Sequence, residues 1–183
     1  LKQLPKLVEK TLVSENKITK LPDSIGQLIN LRFLFLASNK IKALPNSISD
    51  LALLEFLILD QNKISLLPSS FDCLKNLKHL NLATNEFIEF PVVLSKLAPI
   101  NNINLSSNKI KTFPNEIIKL TELIQFDIRD NPINLPDPSF HDLSGQEKIQ
   151  TLLALQNSPL KPLNQAKILV VGDERVGKTS VIN

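Results

Sequence analysis

The sequence predicts an α/β solenoid, a stack of coils that each give one short strand to a parallel sheet and return through a proline-marked segment. Three observations carry this. Asn16, Asn39, Asn62, Asn85, Asn108 and Asn131 recur every 23 residues. Before each asparagine runs one template, apolar, two variable, apolar, variable, apolar, two variable, as in LRFLFLASN (31 to 39), LEFLILDQN (54 to 62) and LKHLNLATN (77 to 85). After it comes an apolar residue two positions on, then an apolar-Pro pair, as at Leu21-Pro22, Leu44-Pro45, Leu67-Pro68, Phe90-Pro91 and Phe113-Pro114. In the sixth unit the pair comes one residue early.

Taken in order, residues 1–7 (LKQLPKL) do not fit the frame and predict an end coil or a remnant of upstream repeats. The first unit is weak, with Thr11 where leucine is expected. In the following units the alternation exemplified by Leu34 and Leu36 sends side chains inward at period two, the mark of a strand. One coil cannot close a core alone, so coils stacked about 4.8 Å apart must pool their leucines. The asparagines then stack as well. An Asn amide both donates and accepts, so the column predicts a ladder serving backbone groups that no sheet partner reaches. Proline fixes φ and removes a donor, which predicts a 3₁₀ or extended return on the outer side. Ile25, Ile48, Phe71, Leu94 and Ile117 then point back inside. Ser144 to Glu147 (SGQE) forms a capping-box pattern, and Ile149, Leu152 and Leu153 share one face of the helix it starts. That helix closes the last coil, and Pro159 and Pro162 predict a linker from about 157 to 165.

Composition excludes several function classes. Of 183 residues, 43% are hydrophobic and 21% charged, and no apolar run approaches the roughly 18–20 residues that cross a bilayer. One cysteine, Cys73, allows no internal disulfide, and residues 1–183 show no cationic start followed by an apolar stretch and cleavage site, so the expected location is cytoplasmic, free or peripheral to a membrane. Cys73 itself reads as a partly buried small hydrophobe. A net charge of +3 with no basic run predicts no nucleic-acid partner. Asn104-Leu-Ser106 is a glycosylation sequon without meaning in that compartment. With no methionine and Leu1 at its start, the chain reads as an excised piece of a longer one.

The variable template positions face outward from the sheet, on the inner curve of the stack. In the first three coils they form an apolar cluster, Leu12, Phe33, Phe35, Phe56 and Ile58, with His79 beside it. In the last three they are rich in amides. Contiguous exposed aromatics mark a contact surface. The expected occupant is a protein partner, another domain of the same protein, or a second copy forming a homodimer.

The motif resembles the leucine-rich repeat family, in the 23-residue class with LPxxI in the second half, over roughly residues 8 to 136. The resemblance implies a curved right-handed solenoid with short parallel strands on its concave face and a 3₁₀ or extended convex side. Near the end, KILVV (167 to 171) reads as a buried strand running into Gly172, Asp173, Glu174, Arg175, Val176, Gly177, Lys178 and Thr179. This is the phosphate-loop pattern GxxxxGK[ST]. Its glycines let backbone amides face phosphate, Lys178 charges the β and γ phosphates, and Thr179 offers a hydroxyl to Mg²⁺. VVGDERVGKTS (170 to 180) looks like the first motif of Ras-like GTPases, and the whole chain resembles the Roco family. There such repeats precede a Roc GTPase domain, a COR domain and often a serine/threonine kinase domain. The division implied is repeats at 1–136, capping helix and linker at 137–165, and the start of the GTPase domain at 166–183. GTP or GDP with Mg²⁺ would be cofactors of the intact protein, not of residues 1–183, which carry no switch threonine, DxxG or NKxD downstream of the loop. A cytosolic repeat adaptor without an enzymatic domain is the alternative. Asp142 to Glu147 (DLSGQE) also looks like a GTPase switch motif. It does not follow a buried strand, however, and the capping box accounts for the same letters.

Overall fold

The computed structural model describes residues 10–97, 99–135 and 138–157, the last without the side chain of Asn157. Residues 1–7, the linker after the helix and the phosphate-loop pattern at 172–179 lie outside the described residues. Six strands form one open, curved parallel sheet in sequence order: β1 (Lys10–Leu12), β2 (Phe33–Phe35), β3 (Phe56–Ile58), β4 (His79–Asn81), β5 (Asn102–Asn104) and β6 (Gln125–Asp127). Each strand pairs with the next at the 23-residue offset, as in Leu34 with Leu57 and Leu57 with Leu80. A one-residue slip would turn every inward leucine outward, so the pattern fixes the register.

The return path is a 3₁₀ turn in every coil, for example Asn46–Asp50 and Ser69–Cys73. Proline precedes each of the first five, with φ between −73° and −63°. Its ring presets that angle, and its carbonyl accepts the amide three residues on, as Ile48 N–H to Pro45 O at 3.1 Å. That bond turns Ile25, Ile48, Phe71, Leu94 and Ile117 into the core, all at most 2% exposed. Cys73 departs from expectation. It is exposed, because Phe71 and Leu74 on either side take the inward positions.

The residue before each ladder asparagine lies in the left-handed region: Glu15, Ser38, Gln61, Thr84, Ser107 and Asp130 have φ of 52° to 58°. None is glycine, although this conformation costs a residue with a Cβ about 1–2 kcal/mol. The β-branched Thr84 is the most strained by type. Thr84→Gly is therefore expected to raise stability by about 0.5–1 kcal/mol, after the added entropy of the unfolded chain is deducted. A thermal melt no higher than wild type would contradict this.

The end of the stack is closed by α1 (Gly145–Asn157). The capping box forms: Ser144 N–H donates to Glu147 Oε2 at 2.8 Å, and Glu147 N–H to Ser144 Oγ at 3.4 Å. Ile149 and Leu152 are buried and Leu153 packs partly buried beside them. Backbone and side-chain groups of α1 also bond backbone atoms of the last two coils, and Gly145 N–H takes the place that the next coil's amide holds in earlier repeats, as Glu55 N–H does on Arg32 O. Gly145 N–H donates to Ile124 O at 2.9 Å, and Gln146 Nε2 to Leu120 O at 2.5 Å. Lys148 Nζ donates to Phe126 O at 3.0 Å, while Gln156 both accepts from Phe113 N–H and donates to Phe113 O.

Lys148 is 8% exposed, and burial lowers its pKa, only partly opposed by Asp127. Between that lowered value and the ordinary lysine value near 10.4, the unfolded chain holds more protons than the native one. Stability contributed by this site therefore rises with pH through that window. Lys148→Met is expected to flatten the rise in melts taken from about pH 8 to 11; an identical slope in both proteins would refute the assignment.

Candidate partner-binding surface

The register lays the outward strand positions in two files across the concave face. One runs Lys10, Phe33, Phe56, His79, Asn102, Gln125; the other runs Leu12, Phe35, Ile58, Asn81, Asn104, Asp127. Residues 23 apart in sequence become neighbours, so the six expected contact residues form one patch. Phe33 stacks on Phe56 with centroids 5.1 Å apart and planes at 19°, and Phe56 stacks on His79 at 4.2 Å and 8°. Leu12 is 66% exposed. Phe33, Phe35, Phe56, Ile58 and His79 are half-buried rather than open, because each side chain covers a face of its neighbour.

Cations border the aromatic files. The Arg32 guanidinium lies 5.7 Å from the Phe33 centroid and Lys10 Nζ 5.4 Å from that of Phe35. Arg32 is held there by Glu55, whose Oε1 accepts Nε at 2.8 Å and Nη2 at 2.5 Å, while Oε2 accepts Lys78 Nζ at 3.2 Å. The bonds from Arg32 and then Lys78 hold the Glu55 carboxyl below its usual pKa. Burial, and then the charge of Lys78, lower that of His79, so its ring is kept neutral to lower pH than usual. This Arg-Glu-Lys bridge joins template positions that look merely variable in the sequence, where the 23-residue spacing of opposite charges is the only sign of it.

Asp60 belongs to no motif, yet it stands next to the patch between Ala37 and Ala83 in the neighbouring coils, with no ion pair among the described residues. Burial raises its pKa. Towards the last coils the surface turns polar. Asn102 Nδ2 donates to Gln125 Oε1 at 2.6 Å, and Asn104 Oδ1 accepts both Ser106 N–H and Oγ. Asp127 is pushed up by burial, but its bonds from Arg129 outweigh this and leave its pKa lowered. A hollow of about 540 Å³ opens there, between this polar end and the start of α1, with Asn81, Asn104, Asp127, His141 and Lys148 on its walls.

Beneath the face runs the asparagine ladder. Asn62 Nδ2 donates to Leu36 O (2.9 Å), Leu59 O (3.0 Å) and Asp60 O (3.2 Å), while its Oδ1 accepts Ile41 N–H at 3.0 Å. Asn39, Asn85, Asn108 and Asn131 repeat this bridge to the preceding coil. Asn16 is exposed and bonds only its own coil among the described residues. No group of three or more His, Cys, Asp or Glu able to hold a metal occurs among the described residues, and no described helix is long and apolar enough to cross a membrane.

An open parallel sheet that adds one short strand and one 3₁₀ return per 23 residues defines the class of repeat solenoids. The leucine-rich repeat region model matches residues 11–168, and the chain belongs to the leucine-rich repeat family, whose fold typically mediates protein interaction. No curated protein matches it. Among solved structures, a leucine-rich repeat protein of Leptospira interrogans superposes with a TM-score of 0.70 at 32% identity, over 81% of this chain and 36% of that one. The leucine-rich repeat ectodomain of the plant membrane receptor kinase GASSHO1/SCHENGEN3 from Arabidopsis thaliana, solved in complex with Casparian strip integrity factor 2, gives 0.61 at 27%, over 69% and 16%. An internalin of Listeria monocytogenes gives 0.63 at 24%, over 73% and 38%, a likeness of fold alone. The chain thus spans between about a sixth and two fifths of the length of these neighbours.

Proposed function

We propose that the chain is the partner-binding and regulatory repeat module of a multidomain Roco-type GTP-binding signalling protein, and that its concave face grips a protein partner through Leu12, Phe33, Phe35, Phe56, Ile58 and His79. The observation that carries the binding face is the Phe33-Phe56-His79 stack, a rigid apolar platform flanked by the cations of Arg32 and Lys10. Rigid aromatic anchors lose little side-chain entropy on contact, which suits them to carry binding energy. Asp60 adds a carboxylate whose raised pKa a partner cation would bring back down.

The GTPase context rests on residues 167–180 alone, where strand pattern, two glycines, Lys178 and Thr179 match the nucleotide loop of Ras-like enzymes. A chain extended through the guanine-reading motifs should bind GTP in titration calorimetry and lose it with Lys178→Ala, whereas residues 1–183 alone should show no micromolar affinity.

The binding face is tested by Phe33→Ser, Phe35→Ser and Phe56→Ser together. Half-buried and stacked rings contribute to stability, so a loss of roughly 1–3 kcal/mol is expected, smaller than for the same number of core residues. Proteins cross-linked to wild type, or a dimer seen by sedimentation, should be lost with the triple variant at a temperature where it remains folded. Undiminished association would place the contact elsewhere.

A further inference from the structure

The lateral flank that follows the asparagine ladder carries a second surface, unrelated to the concave face. Its sequence signal is invisible in linear form, because the basic residues occur singly, each separated from the next by other residue types. The coil register gathers them. The position just after the ladder asparagine is Lys17, Lys40, Lys63, Glu86 and Lys109 in successive coils. Backbone bonds tie this segment coil to coil, with Lys40 N–H to Ile18 O, Lys63 N–H to Ile41 O, Glu86 N–H to Ile64 O and Lys109 N–H to Phe87 O at 2.8–2.9 Å. The side chains therefore stand in one file about 4.8 Å apart. Two positions further on, Lys42 and Lys111 flank Ser65 and Ile88 in a parallel file, and Lys20 opens a third that continues through Ala43 and Leu66. All seven lysines are exposed, against the two glutamates Glu86 and Glu89, and none is in an ion pair among the described residues.

In the middle of these files stand two aliphatic side chains on adjacent coils, Leu66 at 75% and Ile88 at 63% exposure, among the most open large hydrophobics described. Ile88 shares its file with Lys42 and Lys111, and Leu66 shares one with Lys20. Lysine ammonium groups without partners, set around a small aliphatic centre, complement a surface that offers both negative headgroups and hydrocarbon beneath them. A nucleic acid would be matched better by arginine and aromatic side chains, neither of which occurs in these three files.

We infer that this lysine-lined flank is a docking surface for an anionic lipid bilayer, with Leu66 and Ile88 entering the headgroup region. Since the concave face lies on a different side of each coil, the stack can hold a membrane and a partner at once. The test is sedimentation of the chain with vesicles of phosphatidylcholine, with and without about a third phosphatidylserine. Binding is expected only to the anionic vesicles and should fall steeply as salt rises. Lys40→Gln, Lys63→Gln and Lys109→Gln together should weaken it about a hundredfold, on the scale of one near-surface charge per lysine. Leu66→Ser with Ile88→Ser should weaken it about tenfold at fixed salt. Both sets sit on exposed positions and should keep the wild-type melting temperature, which a melt verifies. The Phe33, Phe35 and Phe56 variant should bind vesicles as wild type does, which separates this surface from the concave one. No preference for anionic vesicles, unchanged binding in the lysine variant, or binding to heparin or RNA with none to vesicles would each overturn the proposal.

Discussion

Asn62→Ala is expected to lower the free energy of unfolding by about 3 kcal/mol, whereas Asn16→Ala should cost under about 1 kcal/mol. Among the described residues Asn16 is exposed and reaches only Val13 O and Ser14 O of its own coil. Asn62 is 7% exposed and makes four bonds, one of which is the sole partner of the buried Ile41 amide. Leu36 O and Leu59 O lose a donor too, yet each keeps another, from Asn39 and from Asn85. The ladder is thus redundant for carbonyls and not for amides, and the orphaned Ile41 N–H dominates the loss. Asn62→Asp should be worse than alanine at neutral pH, since a carboxylate accepts from Ile41 but faces three carbonyls it cannot serve. Protonation restores one donor, so this variant should recover stability relative to Asn62→Ala as pH falls. Equal chemical-denaturation midpoints for Asn62→Ala and Asn16→Ala would show that the column carries no load.

Gly145→Val should destabilise by roughly 4 kcal/mol, as large as the removal of a core side chain. A Cβ built on Gly145 falls 2.6 Å from Leu123 O and 3.0 Å from Leu123 C, backbone atoms of the last coil that cannot step aside. Gly145 N–H is bonded to Ile124 O, so moving the helix away breaks that bond and draws Gln146 and Lys148 off their carbonyls. The coil end, with Phe126 and Leu120 buried against α1, would then open to water. Protection of the Phe113 amide, which Gln156 caps 43 residues away, reports the event directly. A variant with wild-type melting and a protected Phe113 would mean that α1 docks more loosely than this contact requires.

Strand register, inward residues, proline-led turns and ladder could all be read from spacing, because each depends on a residue type that recurs at a fixed offset. The concave files followed for the same reason. What could not be read depends on geometry between coils. Ring stacking half-buries Phe33 and Phe56, which their outward template positions alone would leave open. The left-handed residue before each asparagine is Glu, Ser, Gln, Thr, Ser and Asp in turn, so no residue type advertises it. Lys148 reads as one more surface lysine of an amphipathic helix, and only the packing of α1 against the last coil brings its Nζ to Phe126 O. The Arg32-Glu55-Lys78 bridge and the lysine files likewise come into being when the coils stack.

Amide hydrogen exchange on wild type and Asn62→Ala tests the stitched stack most directly. The amides of Ile41, Ile64, Phe87 and Ile110 should be strongly protected in wild type, each held by the carboxamide of the next coil. In Asn62→Ala the Ile41 amide should lose its protection, while Phe87 and Ile110 keep theirs. Rapid exchange of all four in wild type, or an Ile41 amide indifferent to the loss of Asn62, would contradict a solenoid held together by its asparagine column.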